Sequence, residues 1–432
     1  MSKVIRYFGN LKPRGQEDMG RRHNSSTSGQ FLSKLAIRNV TRHDWSRAIS
    51  EAEKLVRYEG SFQSLHQLLS DENAAADLNL QDRINIEHPL FKTAKSVSYI
   101  DGKELAWGLI VQLVSKATGH DGVNISKQNQ DTSTGVLQSQ RTMAEVTDMV
   151  RMSQLLHQAI INLKSSNNFG NDLSGDSDLV SGNKIALLGG DSLLAKAFKQ
   201  TASLRNHDLN LLISSALRDL TESNFIGDRD DQNIPLPSKP QPFAEGSARV
   251  VDNLNGLNFG DLDDNSAPLQ IDGFVGSAEK EWSLRNVLGG GSLLGKGCQG
   301  ALMLGGHPEP LQRLGYLFGR HLALAWQACL DRQPFQQSNL REGTQFSLVS
   351  APVLFHLQHD TTLYEEIEKG GKSVDNIDYC KVHRVVSQGP GVKMTKVLQL
   401  KHTLLVARIL HELPLTDART SLENIVLTMQ EL

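Results

Sequence analysis

The chain has 432 residues, 39% of them apolar, enough for a sizeable core arranged as one large domain or as two to three smaller ones. Its 45 basic and 48 acidic side chains leave a formal charge of −3, which excludes the global field of a nucleic-acid or membrane-surface binder, so any anion site must be local. Cys298, Cys329 and Cys380 are odd in number and sit far apart in apolar helical patterns, which predicts reduced, buried thiols, and no run of about eighteen apolar residues is present to form a transmembrane helix.

In chain order, the first segment is basic. Up to Arg42 it carries Lys3, Arg6, Lys12, Arg14, Arg21, Arg22, Lys34, Arg38 and Arg42, many serines, and only Glu17 and Asp18 as acids. Residues 1–43 therefore resemble a mitochondrial presequence, with the matrix as the expected location and 44–432 as a helical domain. Apolar residues then recur at helical spacing: Met149, Met152, Leu156, Ala159 and Leu163; Leu311, Leu314, Phe318, Leu322, Ala325 and Cys329; Val397, Leu400, Leu404 and Ala407. Alternating strand patterns are sparse, and the expected fold class is all-α. A smaller loop is expected over 165–182. From 227 to 276 the chain is rich in Asp, Asn, Pro and Gly, with Pro235, Pro237, Pro240 and Pro242 crowded together, which predicts a disordered, mobile insertion. The string Gly289-Gly290-Gly291-Ser292-Leu293-Leu294-Gly295-Lys296 approaches a phosphate-binding P-loop. Gly297 stands where the motif needs Ser or Thr and no strand precedes it, so a small-residue helix contact is the better reading.

Several segments carry the signs of a chemistry. Asp101-Gly102-Lys103-Glu104-Leu105-Ala106-Trp107 is similar to Gly-Gly-Lys-Arg-Leu-Arg-Pro, with Lys103 the surviving cation. Leu155-Leu156-His157 precedes Gln158, Ala159 and Asn162, at positions one, two and five of what would be an aspartate cluster. Gly182-Asn183-Lys184-Ile185-Ala186-Leu187-Leu188-Gly189-Gly190-Asp191 is close to Gly-Asn-Lys-x-Ala-Val-Leu-Ala-Gly-Asp. Arg285 and Gly289 stand in place of the lysines of a Lys-Thr-x-x-Lys-Thr-Ala-Ser-Leu region, and Trp326-Gln327 precede Leu330, Asp331 and Pro334 at the second aspartate cluster.

Taken together from Tyr99 to Met429, apart from the insertion, these segments resemble the trans-prenyl-diphosphate synthases. The resemblance implies the helical isoprenoid-synthase bundle as a single large domain. In that family the two aspartate clusters hold the Mg²⁺ that binds an allylic diphosphate; here only Asp331 remains, and Pro334 should end or kink the helix presenting it. Lys103, Lys184, Arg285 and Gln327 mark residual diphosphate positions. Asp191, amid apolar helix, is expected to be structural. Losing one preorganised electrostatic group commonly costs on the order of a hundredfold to a thousandfold in rate, so this chain is expected to be inactive alone and to bind no cofactor. The resemblance implies a non-catalytic subunit of a heteromeric decaprenyl or solanesyl diphosphate synthase supplying the ubiquinone side chain. Its partner would be a catalytic, aspartate-rich subunit carrying Mg²⁺, in a heterodimer or heterotetramer, with 155–163 and 182–198 near the subunit contact; no nucleic acid is implied.

Two other readings compete. An active synthase with degenerate motifs would use Asp331, Asp191 and the loop acids Asp172, Asp176 and Asp178, but a mobile loop is a poor metal platform. An all-α metal-dependent phosphohydrolase is echoed by His43-Asp44, His120-Asp121, His207-Asp208 and His359-Asp360. These dipeptides lie in unrelated contexts among 14 histidines, where surface and capping roles are commoner.

Overall fold

A computed structural model describes residues 44–58, 99–100, 103–121, 130–131, 135–162, 173–241, 273–341 and 343–432. The basic segment 1–43 and residues 242–272 of the Pro-rich stretch lie outside the described residues. The described elements are α1 (Asp44–Val56), α2 (Trp107–Thr118), α3 (Gln138–Gln158), α4 (Leu173–Ser203), α5 (His207–Glu222), α6 (Ala278–Asn286), α7 (Ser292–Leu304) and α8 (Glu309–Arg332). They continue with α9 (Ala351–His359), α10 (Tyr364–Glu368), α11 (Tyr379–Gln388), α12 (Gly391–His411) and α13 (Asp417–Glu431). Strand is confined, among the described residues, to two antiparallel pairs: β1 (Tyr99–Ile100) with β2 (Lys103–Glu104), and β3 (Gln130–Asp131) with β4 (Val136–Leu137). The all-α expectation holds, and no described helix is long and apolar enough to cross a membrane.

Local chemistry sets the helix ends. The Asn206 side chain accepts from Leu209 N at the start of α5, and Thr416 accepts from Arg419 N at the start of α13, each satisfying one otherwise orphaned first-turn donor. α8 stops at Arg332, and Pro334 lies in the single 3-10 turn that follows, because proline cannot supply the next helical N–H. Two boundaries differ from the sequence expectation. The stretch 173–182, read as loop, is the beginning of α4, whereas the periodicity through Leu163 outlasts its helix, which ends at Gln158.

α2 and α7 are buried along almost their whole length and form the centre on which α3, α5, α8 and α13 pack. Such close packing of α7 requires small residues. A Cβ on Gly295 would fall 2.8 Å from Tyr316, and one on Gly297 would fall 2.7 Å from Thr147. The P-loop-like string is thus a helix contact, and its Lys296 is buried between α7 and α5, donating to Asp219 (2.8 Å) and Ser215 (2.7 Å). Trp45 of α1 stacks on Trp326 of α8 with centroids 4.8 Å apart, closing this core from one side. Full burial of each large apolar side chain there contributes roughly 1.5–3 kcal/mol. Cys298 and Cys329 are free and buried as expected; Cys380 is exposed, because it falls on the outward side of the amphipathic α11.

The first part of the supposed insertion is packed rather than mobile. Asp230 is buried, its carboxylate accepting from Gln232 N, Ile234 N and Val374 N at 2.8–3.0 Å. Ile226 and Leu236 enter two apolar clusters beside the main core. Pro and Asn composition correctly signalled neither helix nor strand, but these distant partners left no local mark in the sequence.

A second buried polar pair joins α8 to α12: His321 and His402 approach Nδ1 to Nδ1 at 3.1 Å. One nitrogen must donate and the other accept, so the two rings cannot both be protonated. Burial pushes the His321 pKa down to about 3 and that of His402 well below its ordinary value. The unfolded chain therefore binds protons that the folded chain refuses, and stability should fall as pH drops below about 6.5, by up to ~1.4 kcal/mol per pH unit for each histidine. Asp148, whose carboxyl pKa burial raises to about 6, works in the opposite direction from that pH down to its ordinary value of 3.8. Urea unfolding of wild type and a His321→Phe/His402→Phe variant across this range isolates the pair: its acid loss should be present in wild type and absent in the variant, and so appear in the difference between them.

Candidate functional site

The first degenerate cluster begins at the last residue of α3 and the second lies at the end of α8; a cavity of about 170 Å³ lies between these helices, lined by Gln158 of the six cluster positions. Gln158, Gln154, Leu155 and Arg151 line it from α3, Gln327 and Ala323 from α8, Trp107 from α2, Leu220 from α5, and Asn286 with Gly289–Gly291 from the turn joining α6 to α7. Among the described residues, amides and one guanidinium supply its polarity and no carboxylate lines it. Trp107 forms part of its wall: its ring lies so close to Gly290 that a Cβ there would meet it at 2.6 Å. Arg151 stacks its guanidinium 4.1 Å from the Trp107 ring centroid and donates to Leu105 O at 3.1 Å. This cation is tied to an aromatic face and a carbonyl.

Each first-cluster position has a separate fate. Gln158 is exposed at the cavity edge, and Ala159 is 2% exposed beyond the α3 terminus. Asn162 has been drawn out of the helix altogether. Its N–H donates to Gln232 Oε1 (2.9 Å), its Nδ2 to Asp231 O (2.8 Å), and its carbonyl accepts from Gln232 Nε2 (3.0 Å). Asn183 makes a similar two-bond clasp on Ile161, at 2.9 and 2.8 Å. An aspartate at position 162 could not donate to Asp231 O, so the amide has a positive role that the sequence reading, which saw only a missing ligand, did not find.

In the second cluster Leu330 is half-buried against the core. Asp331, the surviving aspartate, is buried and accepts from Trp282 Nε1 (2.7 Å), Gln327 Nε2 (2.7 Å) and Ala351 N (2.8 Å). Burial raises its carboxyl pKa even though these three donors pull it down. Asp331 thus holds α6, α8 and the start of α9 together.

The residual diphosphate positions scatter. Arg285 does not line the cavity: it is buried, paired with Glu281 at 2.8 Å, and donates to Ile226 O (2.7 Å) and Leu236 O (3.2 Å), which binds the Pro-rich segment to α6. That corrects its reading as a diphosphate position; its charge is neutralised and its other donors are taken by carbonyls. Lys184 is exposed on α4, and Lys103 lies on β2 with its side chain outside the described residues. Gln327 faces the cavity, but its amide nitrogen is engaged by Asp331. Asp191 is largely exposed and approaches His157 Nε2 at 3.3 Å without hydrogen-bond alignment, so its contact is a weak electrostatic one on the α3–α4 surface rather than a buried structural bond.

Mg²⁺ requires several oxygen ligands in a tight octahedron. A methyl group, an apolar side chain, a proline, two amides and one fully engaged buried carboxylate do not fit that ion. Of the other acids considered, Asp176 and Asp178 lie on α4 with side chains outside the described residues, as does Asp172 entirely. His120, Asp121, His207 and Asp208 are exposed, and among the described residues no group of three or more His, Cys, Asp or Glu is arranged to hold a metal.

No protein-family model matches the chain. Individual proteins do. It is 31% identical to the all trans-polyprenyl-diphosphate synthase PDSS2 of Homo sapiens, over 88% of this chain and 86% of that protein. It is 27% identical to the mitochondrial hexaprenyl pyrophosphate synthase of Saccharomyces cerevisiae, over 71% of this chain and 66% of the relative. Among solved structures, the heptaprenyl diphosphate synthase of Staphylococcus aureus superposes with a TM-score of 0.51 at 12% identity, covering 86% of this chain and 98% of the other, which supports the fold alone. The chain belongs to the trans-polyprenyl-diphosphate synthase family.

Proposed function

We propose that this chain is the non-catalytic subunit of a heteromeric trans-polyprenyl-diphosphate synthase serving ubiquinone side-chain synthesis in mitochondria, with catalysis and Mg²⁺ binding on an aspartate-rich partner. One observation carries the reading: the cavity between the end of α3 and α8, the helices whose ends carry the degenerate clusters, is lined by Gln158, Gln327 and Trp107 and, among the described residues, by no carboxylate. Its relatives' names, which include a mitochondrial hexaprenyl synthase, support the pathway and compartment. Partnering is supported by α4 and the adjoining α5, where Val180, Leu187, Leu188, Phe198 and Leu211 are exposed, between 38% and 57%. Apolar side chains aligned in this way are unusual on a monomer surface and suit an obligate interface, which commonly buries more than roughly 2,000 Å².

The reading is tested with purified proteins. The lone chain should give no product from farnesyl or geranylgeranyl diphosphate and isopentenyl diphosphate with Mg²⁺. Co-expression with an aspartate-bearing homologue should yield a stable complex and product synthesis, and a Leu187→Glu/Leu188→Glu variant should fold but fail to co-purify. Robust turnover by the lone chain would refute the assignment.

A further inference from the structure

α4 is apolar on two sides. Ala186, Leu193 and Ala197 enter the main core, where the helix packs chiefly against α3. The other side carries Val180, Leu187, Leu188 and Phe198, all exposed, and with them the exposed Lys184, Asp191 and Ala195. At 3.6 residues per turn these positions fall in one stripe about 100° wide that runs for about five turns.

Neither charge in the stripe is neutralised along its own helix. One turn from Lys184 stand Val180, Ser181, Leu187 and Leu188; one turn from Asp191 stand Leu187, Leu188, Leu194 and Ala195. The Asp191 side chain is 60% exposed, and its 3.3 Å approach to His157 leaves the carboxylate open to a further partner. If an apolar surface covered this stripe, both charges would lose water without compensation, so the covering surface must bring an acid to Lys184 and a base to Asp191.

The same helix meets that requirement. Lys184 and Asp191 are equidistant from the midpoint between Leu187 and Leu188, and so are Val180 and Ala195. When two copies of α4 meet antiparallel about a two-fold axis at this midpoint, Leu187 and Leu188 of both copies pack at the centre. Each Lys184 then faces the second copy's Asp191, and each Val180 faces the second copy's small Ala195. Symmetry makes every such pair twice, as in any isologous contact. A parallel pairing would instead set Lys184 against Lys184 and Asp191 against Asp191.

We propose that, before it meets its catalytic partner, this chain pairs with a second copy of itself through antiparallel α4 helices, and that the partner then displaces that copy. The displacement rests on the reading of α4 as the partner face: one stripe cannot be covered by both at once. Self-pairing also keeps an exposed apolar surface from less specific association.

Sedimentation velocity of the full-length chain alone, from nanomolar to high micromolar concentration, should show a monomer–dimer equilibrium. Lys184→Glu sets acid against acid at two symmetric places, and Asp191→Lys sets base against base. Each should weaken the dimer about tenfold or more, and the double reversal Lys184→Glu/Asp191→Lys should restore it, with circular dichroism unchanged throughout. Mixed with excess aspartate-bearing homologue, the preformed dimer should yield the mixed complex at a rate that levels off at the rate of dimer dissociation. A chain that stays monomeric, a dimer indifferent to both single reversals, or a double reversal that fails to restore it overturns the self-pair and leaves the proposed function standing wherever the mixed complex still forms. A rate that keeps rising in proportion to the homologue overturns the displacement. A dimer that follows the charge pattern but gives no mixed complex refutes the proposed function instead, and the displacement with it.

Discussion

Asp331→Ala should destabilise the folded chain by on the order of 3 kcal/mol or more, whereas Asp331→Asn should be close to neutral at pH 7. Truncation strands Trp282 Nε1–H and Ala351 N–H, both buried, and opens a small void. Asparagine keeps an acceptor for these two donors, while its Nδ2 can donate to Gln327 once that amide is flipped. The pH dependence has a definite sign. Burial raises the Asp331 carboxyl pKa, so the folded chain takes up this proton more readily than the unfolded chain. Wild type should gain stability from this group as pH falls toward the ordinary carboxylate range, and Asp331→Asn should lack that gain. Denaturant unfolding at several pH values measures both effects. In a reconstituted complex, Asp331→Asn should leave turnover unchanged; a large loss of rate in a fully folded complex would return Asp331 to the role of a metal ligand.

Rebuilding the clusters with Gln158→Asp, Ala159→Asp, Asn162→Asp, Leu330→Asp and Pro334→Asp should not create an enzyme. Ala159→Asp alone places a carboxylate where the native residue is 2% exposed, immediately after the negative end of α3, and should cost about 3 kcal/mol or more. Asn162→Asp removes the donation to Asp231 O and sets two carbonyl-type oxygens against each other, loosening the clasp on the Pro-rich segment. Leu330→Asp introduces a charge into the edge of the core. The combined variant should be unfolded or strongly destabilised by circular dichroism and urea titration, and should incorporate no labelled isopentenyl diphosphate with Mg²⁺. A stable variant with prenyl transfer would mean that the scaffold still holds a usable metal geometry. The expected failure has a structural origin: the former ligand positions are tied elsewhere, Asn162 to Gln232 and Asp331 to its three donors.

Fold class and family membership were legible in the sequence because they rest on local regularities. Helical spacing through Leu311–Cys329 matches α8, and that through Val397–Ala407 falls within α12. The ordered run of motif-like segments matches the relatives found. Less of the site could be read. Arg285 looked like a displaced phosphate ligand, yet its partner Glu281 one helical turn away and two carbonyls on a distant segment determine where its charge goes. Trp107 was simply the residue after a weakened cation motif, and nothing local to it foretells that its ring will lie over Gly290.

The sequence by itself determined which elements form and which metal ligands are missing, since periodicity, proline and side-chain functional groups act over a few residues. Only the tertiary structure decided what the replacements do: Asn162 clasps 231–232, Asp331 joins three segments, His321 meets His402, and residues 227–241 pack instead of floating. Hydrogen bonding and desolvation depend on neighbours tens of residues away in the chain, so their outcome is fixed only when the helices are packed.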